Sequence, residues 1–328
     1  TLQANGGLMT LEDLSMYTPI WRNPVSGIYK GNTILSMPPP SSGGLHLIQM
    51  LKLIENLPIK SWGHNSGQYA HMLTEIMKRA YADRSKYLGD PAFTEVPQEK
   101  LLSEEYEQLI LGLLNSMAPT PSRFIRPGPL EEIPEPNQTT HFSIVDRHGN
   151  AVSNTTTLNF SFGCGILAEG AGFLLNNEMD DFSAKPGVPN AYGLIGGEAN
   201  NIEPGKRMLS SMTPTIVLRD GKVHIVTGSP GGSRIINTVL QVIINIIDFE
   251  MNAAEAVNSP RFHHQWLPDV FQTERGFPAE SLEALRYMGY DVEVGKTIGC
   301  AQTILCEEDG TLSAAGDPRR DESTARAF

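Results

Sequence analysis

The sequence predicts a layered α+β fold forming a single structural domain. Three observations lead there. Helical periodicity dominates up to about residue 116. A proline-rich connector follows over 119–136, with Pro119, Pro121, Pro127, Pro129, Pro134 and Pro136. Beyond it come hairpin patterns, each turning at a glycine: His148-Gly149-Asn150, Asp220-Gly221 and Asp309-Gly310. Antiparallel strands with helices segregated around them form an α+β layering rather than an alternating α/β one. At 328 residues, 40% of them hydrophobic, the chain can bury a sizeable core.

In chain order, Thr10 reads as an N-cap with Asp13 at the capping-box position. Strands are expected over 25–29 and 32–37, ended by Pro38-Pro-Pro-Ser-Ser-Gly-Gly44. A helix over 45–55 carries Leu45, Ile48, Leu51 and Ile54 on one face. A second, over 66–88, carries Tyr69, Met72, Leu73, Ile76, Ala80 and Tyr87, and a third spans 103–116. After the connector, strands are expected over 142–147 and 151–158, then hairpins over 214–227 and 302–315. A long helix over 232–249 follows a glycine turn, and a shorter one spans 279–288.

Composition narrows the function classes. A net charge of −12, with no basic cluster interleaved with aromatics, argues against nucleic acid. No apolar run approaches a membrane span, and residue 1 opens no signal-peptide pattern. Cys164, Cys300 and Cys306 lack zinc spacing and read as small buried hydrophobes, with a Cys300–Cys306 bridge as the alternative. His263-His264 invites a metal, but adjacent histidines rarely ligate one ion and no second cluster supports them; packing or hydrogen bonding is expected. No cofactor is expected.

The chemistry centres on Asn137-Gln-Thr-Thr-His141, where connector becomes strand. Thr139 is ordinary β-sheet chemistry unless the Gln138–Thr139 bond is cut. A cut would give a threonine hydroxyl its own base, a free α-amine with a reference pKa of about 7.7–8.0. Gly228-Ser-Pro-Gly-Gly-Ser-Arg234 precedes a helix, so Gly231 and Gly232 can offer N–H groups to a developing anion. A phosphate loop is the rival reading, without the spacing for it.

These words, with Thr157-Leu-Asn159, Leu174-Leu-Asn-Asn-Glu-Met-Asp-Asp-Phe-Ser-Ala-Lys-Pro-Gly187, Ser210-Ser-Met-Thr-Pro-Thr215 and Pro260-Arg-Phe-His-His-Gln-Trp266, resemble the bacterial gamma-glutamyltranspeptidases of the N-terminal-nucleophile hydrolase superfamily. Upstream, Ser36-Met-Pro-Pro-Pro-Ser-Ser-Gly-Gly44 and Tyr81-Ala-Asp-Arg-Ser-Lys-Tyr-Leu-Gly-Asp90 resemble the late part of that family's large subunit. The resemblance implies a four-layer αββα sandwich, here incomplete at its N-terminus. Residues 1–138 would be the C-terminal part of the large subunit with its linker, and 139–328 the small catalytic subunit. It implies self-cleavage at Gln138–Thr139 and a heterodimer of the two products. Thr139 would be the nucleophile, hydrogen-bonded by Thr157, with Gly231 and Gly232 as the oxyanion hole. Asn159, Glu178 and Asp181 would bind the substrate α-ammonium, Ser210 and Ser211 its α-carboxylate, and Tyr192 would gate a lid over 186–197. Many bacterial members carry glutamine where Glu178 stands; an acid there adds negative charge beside Asp181.

The implied activity is transfer of a γ-glutamyl group from glutathione-like donors to water, amino acids or peptides, in the periplasm or outside the cell. A related acylase, a polyglutamate transferase and an inactive fragment with a structural role are the alternatives. The family's carboxylate-binding arginine lies in a part of the large subunit that this sequence does not match. The 328-residue chain alone is therefore expected to turn over donor poorly.

Overall fold

The computed structural model describes residues 1–125, 139–185, 187, 188, 190 and 194–327. Gln138 and Tyr192, and most of the proline-rich connector, lie outside the described residues.

One antiparallel sheet carries the fold. Its strands are β1 (Val25–Tyr29), β2 (Asn32–Ser36), β5 (Thr215–Arg219), β6 (Lys222–Gly228), β7 (Gln302–Cys306) and β8 (Leu312–Gly316), adjacent in that order. The first two, from the segment before Thr139, pair directly with the later ones, Ser36 opposite Thr215. A separate hairpin, β3 (Thr139–Val145) and β4 (Ala151–Thr157), lies across one face. Helices α1 (Gly43–Glu55), α2 (Gly67–Tyr87) and α3 (Arg234–Ile247) lie on the other. This is a helix–sheet–sheet part of the expected αββα sandwich. The hairpin's outer face presents Phe142, Ile144 and Val152 to solvent.

Alternation explains the layering. Ile34, Val217 and Ile225 point from the sheet into a core shared with Leu47, Leu51, Leu73, Ile76, Ile236, Val239 and Ile243. Toward the hairpin the filling is polar instead. Ser153 Oγ donates to Thr227 O (2.9 Å), and Ser143 Oγ donates to Gln302 O (2.9 Å). His141 completes this layer, with Nε2 3.1 Å from Ser143 Oγ and Nδ1 2.8 Å from Thr155 Oγ1. Since the Ser143 proton goes to Gln302, Nε2 carries the ring proton and Nδ1 accepts from Thr155. Burial pulls His141 down to about 4, so it stays neutral.

The Thr10–Asp13 capping box forms as read. α3 starts two residues later than the sequence predicts, because Gly231 (φ 138°) and Gly232 (φ 54°) adopt left-handed backbone. Two of its buried polar residues reach backbone carbonyls of neighbouring segments: Gln241 Nε2 donates to Phe262 O (2.8 Å) and Asn245 Nδ2 to Ala256 O (3.2 Å). The predicted 103–116 helix shortens to Glu104–Leu113, with Ser103 as its N-cap. A three-stranded sheet of Phe262–His263, Phe271–Thr273 and Val292–Val294 was not expected; its strands are too short to show periodicity. Among the described residues no helix is long and apolar enough to cross a membrane.

Candidate active site

Thr139 opens β3, buried, directly opposite Thr157 on β4. Its Oγ1 lies 3.3 Å from Thr157 Oγ1, which also accepts from the Asn159 N–H (2.8 Å). Arg320 Nη1 donates to the Thr139 carbonyl (3.0 Å). The hydroxyl is thus fixed at the seam between hairpin and main sheet.

The strand ends sharply at Asn159, whose φ of 70° is left-handed, a conformation asparagine tolerates better than most residues. That bend turns the chain toward the acidic turn Glu178–Asp181. Asn159 Nδ2 donates to Asn177 O (3.3 Å), joining the two segments. Asp181 keeps a strip of surface on the pocket and is enclosed elsewhere. Burial, with Glu178 and Asp180 nearby, pushes its carboxyl up to about 7 against the pull of Arg84. Burial also raises Glu178. Asn200, which sequence reasoning missed, bridges the acidic turn to the serine loop: its Nδ2 donates to Asp181 O (2.7 Å) and its Oδ1 accepts from Leu209 N (2.9 Å).

The two serines are held by Pro38-Pro-Pro-Ser-Ser42. Ser210 N donates to Pro40 O (2.9 Å), Ser42 N and Oγ both donate to Ser210 O (2.9 Å each), and Ser41 Oγ donates to Met212 O (2.7 Å). Ser210 Oγ accepts from Met212 N (3.0 Å). Ser211 Oγ accepts from Arg84 Nη2 (3.1 Å), and Arg84 Nε donates to Ser42 Oγ (2.9 Å). Arg84 is buried, which lowers it to about 10, so it remains charged at neutral pH. It too escaped the sequence reading, although it sits in the Tyr81–Asp90 word; no local pattern shows that α2 reaches the serine loop.

At the far wall, the left-handed Gly231-Gly232 turn leads into α3, whose N-terminal end carries the positive side of the helix dipole. A single pocket is lined by Thr139, Thr157, Asn159, Asp181, Ser210, Ser211 and Gly232, with Leu194 beside them. Glu178 shares the turn of Asp181 without lining that pocket.

The other candidates fall elsewhere. His263 and His264 are buried; His263 lies within hydrogen-bond distance of Asn237 and Gln265, and His264 Nε2 is 3.2 Å from Asp269 Oδ1. Among the described residues no His, Cys, Asp or Glu group is arranged to hold a metal. All three cysteines are free, so Cys300 and Cys306 form no bridge; Cys164 is exposed, contrary to the buried reading, because Gly163 and Gly165 place it on a surface turn.

A helix-backed sheet covered by a hairpin that opens on a buried threonine is the architecture of the N-terminal-nucleophile hydrolases. The family model described as Gamma-glutamyltranspeptidase matches residues 1–327, and the chain belongs to that family. It is 53% identical over 325 residues to the Glutathione hydrolase proenzyme of Escherichia coli (strain K12), which covers 99% of this chain and 56% of the relative. The chain therefore spans about half the length of the curated relatives it matches. Among solved structures, Helicobacter pylori gamma-glutamyltranspeptidase is 55% identical with a TM-score of 0.54, over 55% of this chain and 100% of that one. A cephalosporin acylase from Bacillus halodurans is 26% identical with a TM-score of 0.83, over 100% of this chain and 57% of that one.

Proposed function

We propose that this chain carries the nucleophile half of a γ-glutamyl transferase and hydrolase acting on glutathione-like donors. The observation that carries the reading is the one pocket shared by Thr139, Thr157, Asn159, Asp181, Ser210, Ser211 and Gly232. Activation comes first. Thr139 Oγ1 attacks the Gln138 carbonyl carbon, the C–N bond breaks, and the acyl group passes to oxygen. Water then opens the ester, leaving a carboxylate on Gln138 and a free amine on Thr139. Residues 1–138 and 139–328 become two subunits of one heterodimer, still sharing the main sheet.

In turnover, the Thr139 amine takes the proton of its own hydroxyl as Oγ1 bonds the donor's γ-carbonyl carbon. Thr157 holds the hydroxyl in line. The N–H groups of Gly231 and Gly232, with the α3 dipole behind them, receive the oxyanion. Collapse breaks the C–N bond, and the leaving amine takes the proton back. Water or an acceptor amine then reverses the sequence on the ester. Asp181 and Asn159 accept from the donor's α-ammonium, with Glu178 adding negative charge nearby, while Ser210 and Ser211 donate to its α-carboxylate. Leu194 lines the pocket beside Asp181 and Ser210. We place this chemistry in the periplasm or outside the cell, a reading that the family resemblance supports.

The test is chromophore release from a γ-glutamyl anilide by the 328-residue chain, alone and with the upstream segment of its relatives added or fused. Little turnover alone and strong turnover with the segment are expected. No turnover in either case overturns the proposal. The structural likeness to an acylase favours one second reading, which a glutaryl anilide lacking the α-ammonium separates. Preference for that donor would favour the acylase.

A further inference from the structure

Arg84 lies at the joint of three segments that the reaction scheme leaves unexplained. It projects from the last turn of α2, and its guanidinium contacts Ser42 on one side and Ser211 on the other. A guanidinium has five N–H donors and no acceptor. Both serine oxygens must therefore accept from it, which directs their protons away from the guanidinium. The Ser42 proton is directed to the Ser210 carbonyl at 2.9 Å. The Ser211 proton has no acceptor among the described residues, and Ser211 lines the pocket. The same cation lies near enough to Asp181 to favour its ionised form.

Resting on the proposed γ-glutamyl activity, we propose that Arg84 is a positioning residue: it acts through Ser211, turning that hydroxyl into an obligate donor toward the substrate α-carboxylate. The pocket thereby selects donors with an ionised α-carboxylate. Without Arg84 the Ser211 hydroxyl can rotate and accept as readily as donate, so a carboxamide in place of the carboxylate is tolerated better. α2 is braced for this task. Asp83, next to Arg84, accepts from Gln49 Nε2 and from Tyr106 OH (2.7 Å each), and Gly197 N donates to Ser85 O (2.7 Å). These contacts fix the helix end from both sides.

The experiment compares Arg84→Met and Arg84→Lys with the unsubstituted chain, each fused to the upstream segment. The readout is kcat/KM for γ-glutamyl p-nitroanilide divided by kcat/KM for its α-carboxamide counterpart. Intact mass reports self-cleavage at Thr139. The ratio is expected to fall about tenfold in Arg84→Met, the scale of one oriented hydrogen bond to a charged group. Arg84→Lys keeps the charge but not the fork between two serines, so its ratio is also expected to fall, with self-cleavage intact. If Arg84→Met is not cleaved, Arg84→Lys decides. An unchanged ratio in a cleaved variant, with both donors slowed equally, overturns the inference and leaves the functional reading standing. No turnover of either donor by the unsubstituted enzyme overturns both.

Discussion

Gly43 is the position where one methyl group should separate substrate binding from self-cleavage. It is the first residue of α1, and a Cβ there would sit 2.3 Å from Met212 O and 2.4 Å from Thr213 Oγ1. Real Cβ contacts stop near 3.0 Å, so Gly43→Ala must drive these groups apart by about 0.7 Å, and by about 1.1 Å to reach an ordinary 3.4 Å contact. The first obstacle is a backbone carbonyl, so the whole 210–213 segment moves, taking Ser210 and Ser211 with it. A misplacement of about 1 Å costs on the order of 10²-fold in rate. Overpacking should also lower stability by about 1–3 kcal/mol. Thr139 and Thr157 are held by the β3–β4 pairing and not by this loop. The expected result is a chain that cuts itself normally but loses about 10²-fold in kcat/KM for a γ-glutamyl anilide. Steady-state kinetics with intact mass and a urea melt would test it. A kcat/KM within about threefold of the parent would refute the claim that the Pro38–Ser42 loop sets the proposed carboxylate site.

The other predictions follow from the same geometry. Asp181 must be ionised to hold an ammonium, and burial raises it to about 7. Donor kcat/KM should therefore rise with pH through that value, and Asp181→Asn should remove this limb, leaving only that of the Thr139 amine; an unshifted midpoint contradicts the role. Gly231→Ala puts a side chain at φ 138° and should disturb the proposed oxyanion donors, so the chemical step should fall by roughly 10²–10³ while a substrate analogue still binds, as measured by single-turnover kinetics. Trp266 Nε1 donates to Ser122 O (2.9 Å) and Ile125 O (3.0 Å), so Trp266→Phe should cost about 1–3 kcal/mol in denaturant unfolding.

What was legible in the sequence was local or repeated. The glycine turns at 149, 221 and 310 gave their hairpins because left-handed backbone there leaves few alternatives. The proposed nucleophile, the glycine pair and the serine pair were legible as motif words, and the fold brings Thr139, Gly232, Ser210 and Ser211 to one pocket, with Gly231 just behind its wall in the same turn. Arg84 and Asn200 were not legible, because their work is to connect distant segments. Arg84 reaches Ser211 across 127 positions, and helix periodicity says only that its face is buried. Polar residues such as Ser143 and Ser153 lie between two sheets, each donating to a main-sheet carbonyl. Alternation cannot distinguish water from a second polar layer.

The most direct test of the account is the mass and N-terminal sequence of the purified 328-residue chain after incubation. The prediction is two pieces, 138 and 190 residues long, the second beginning Thr-Thr-His, with Thr139→Ala remaining whole. A new N-terminus elsewhere, or cleavage of the Thr139→Ala chain at the same bond, would contradict the assignment of Thr139 as the nucleophile.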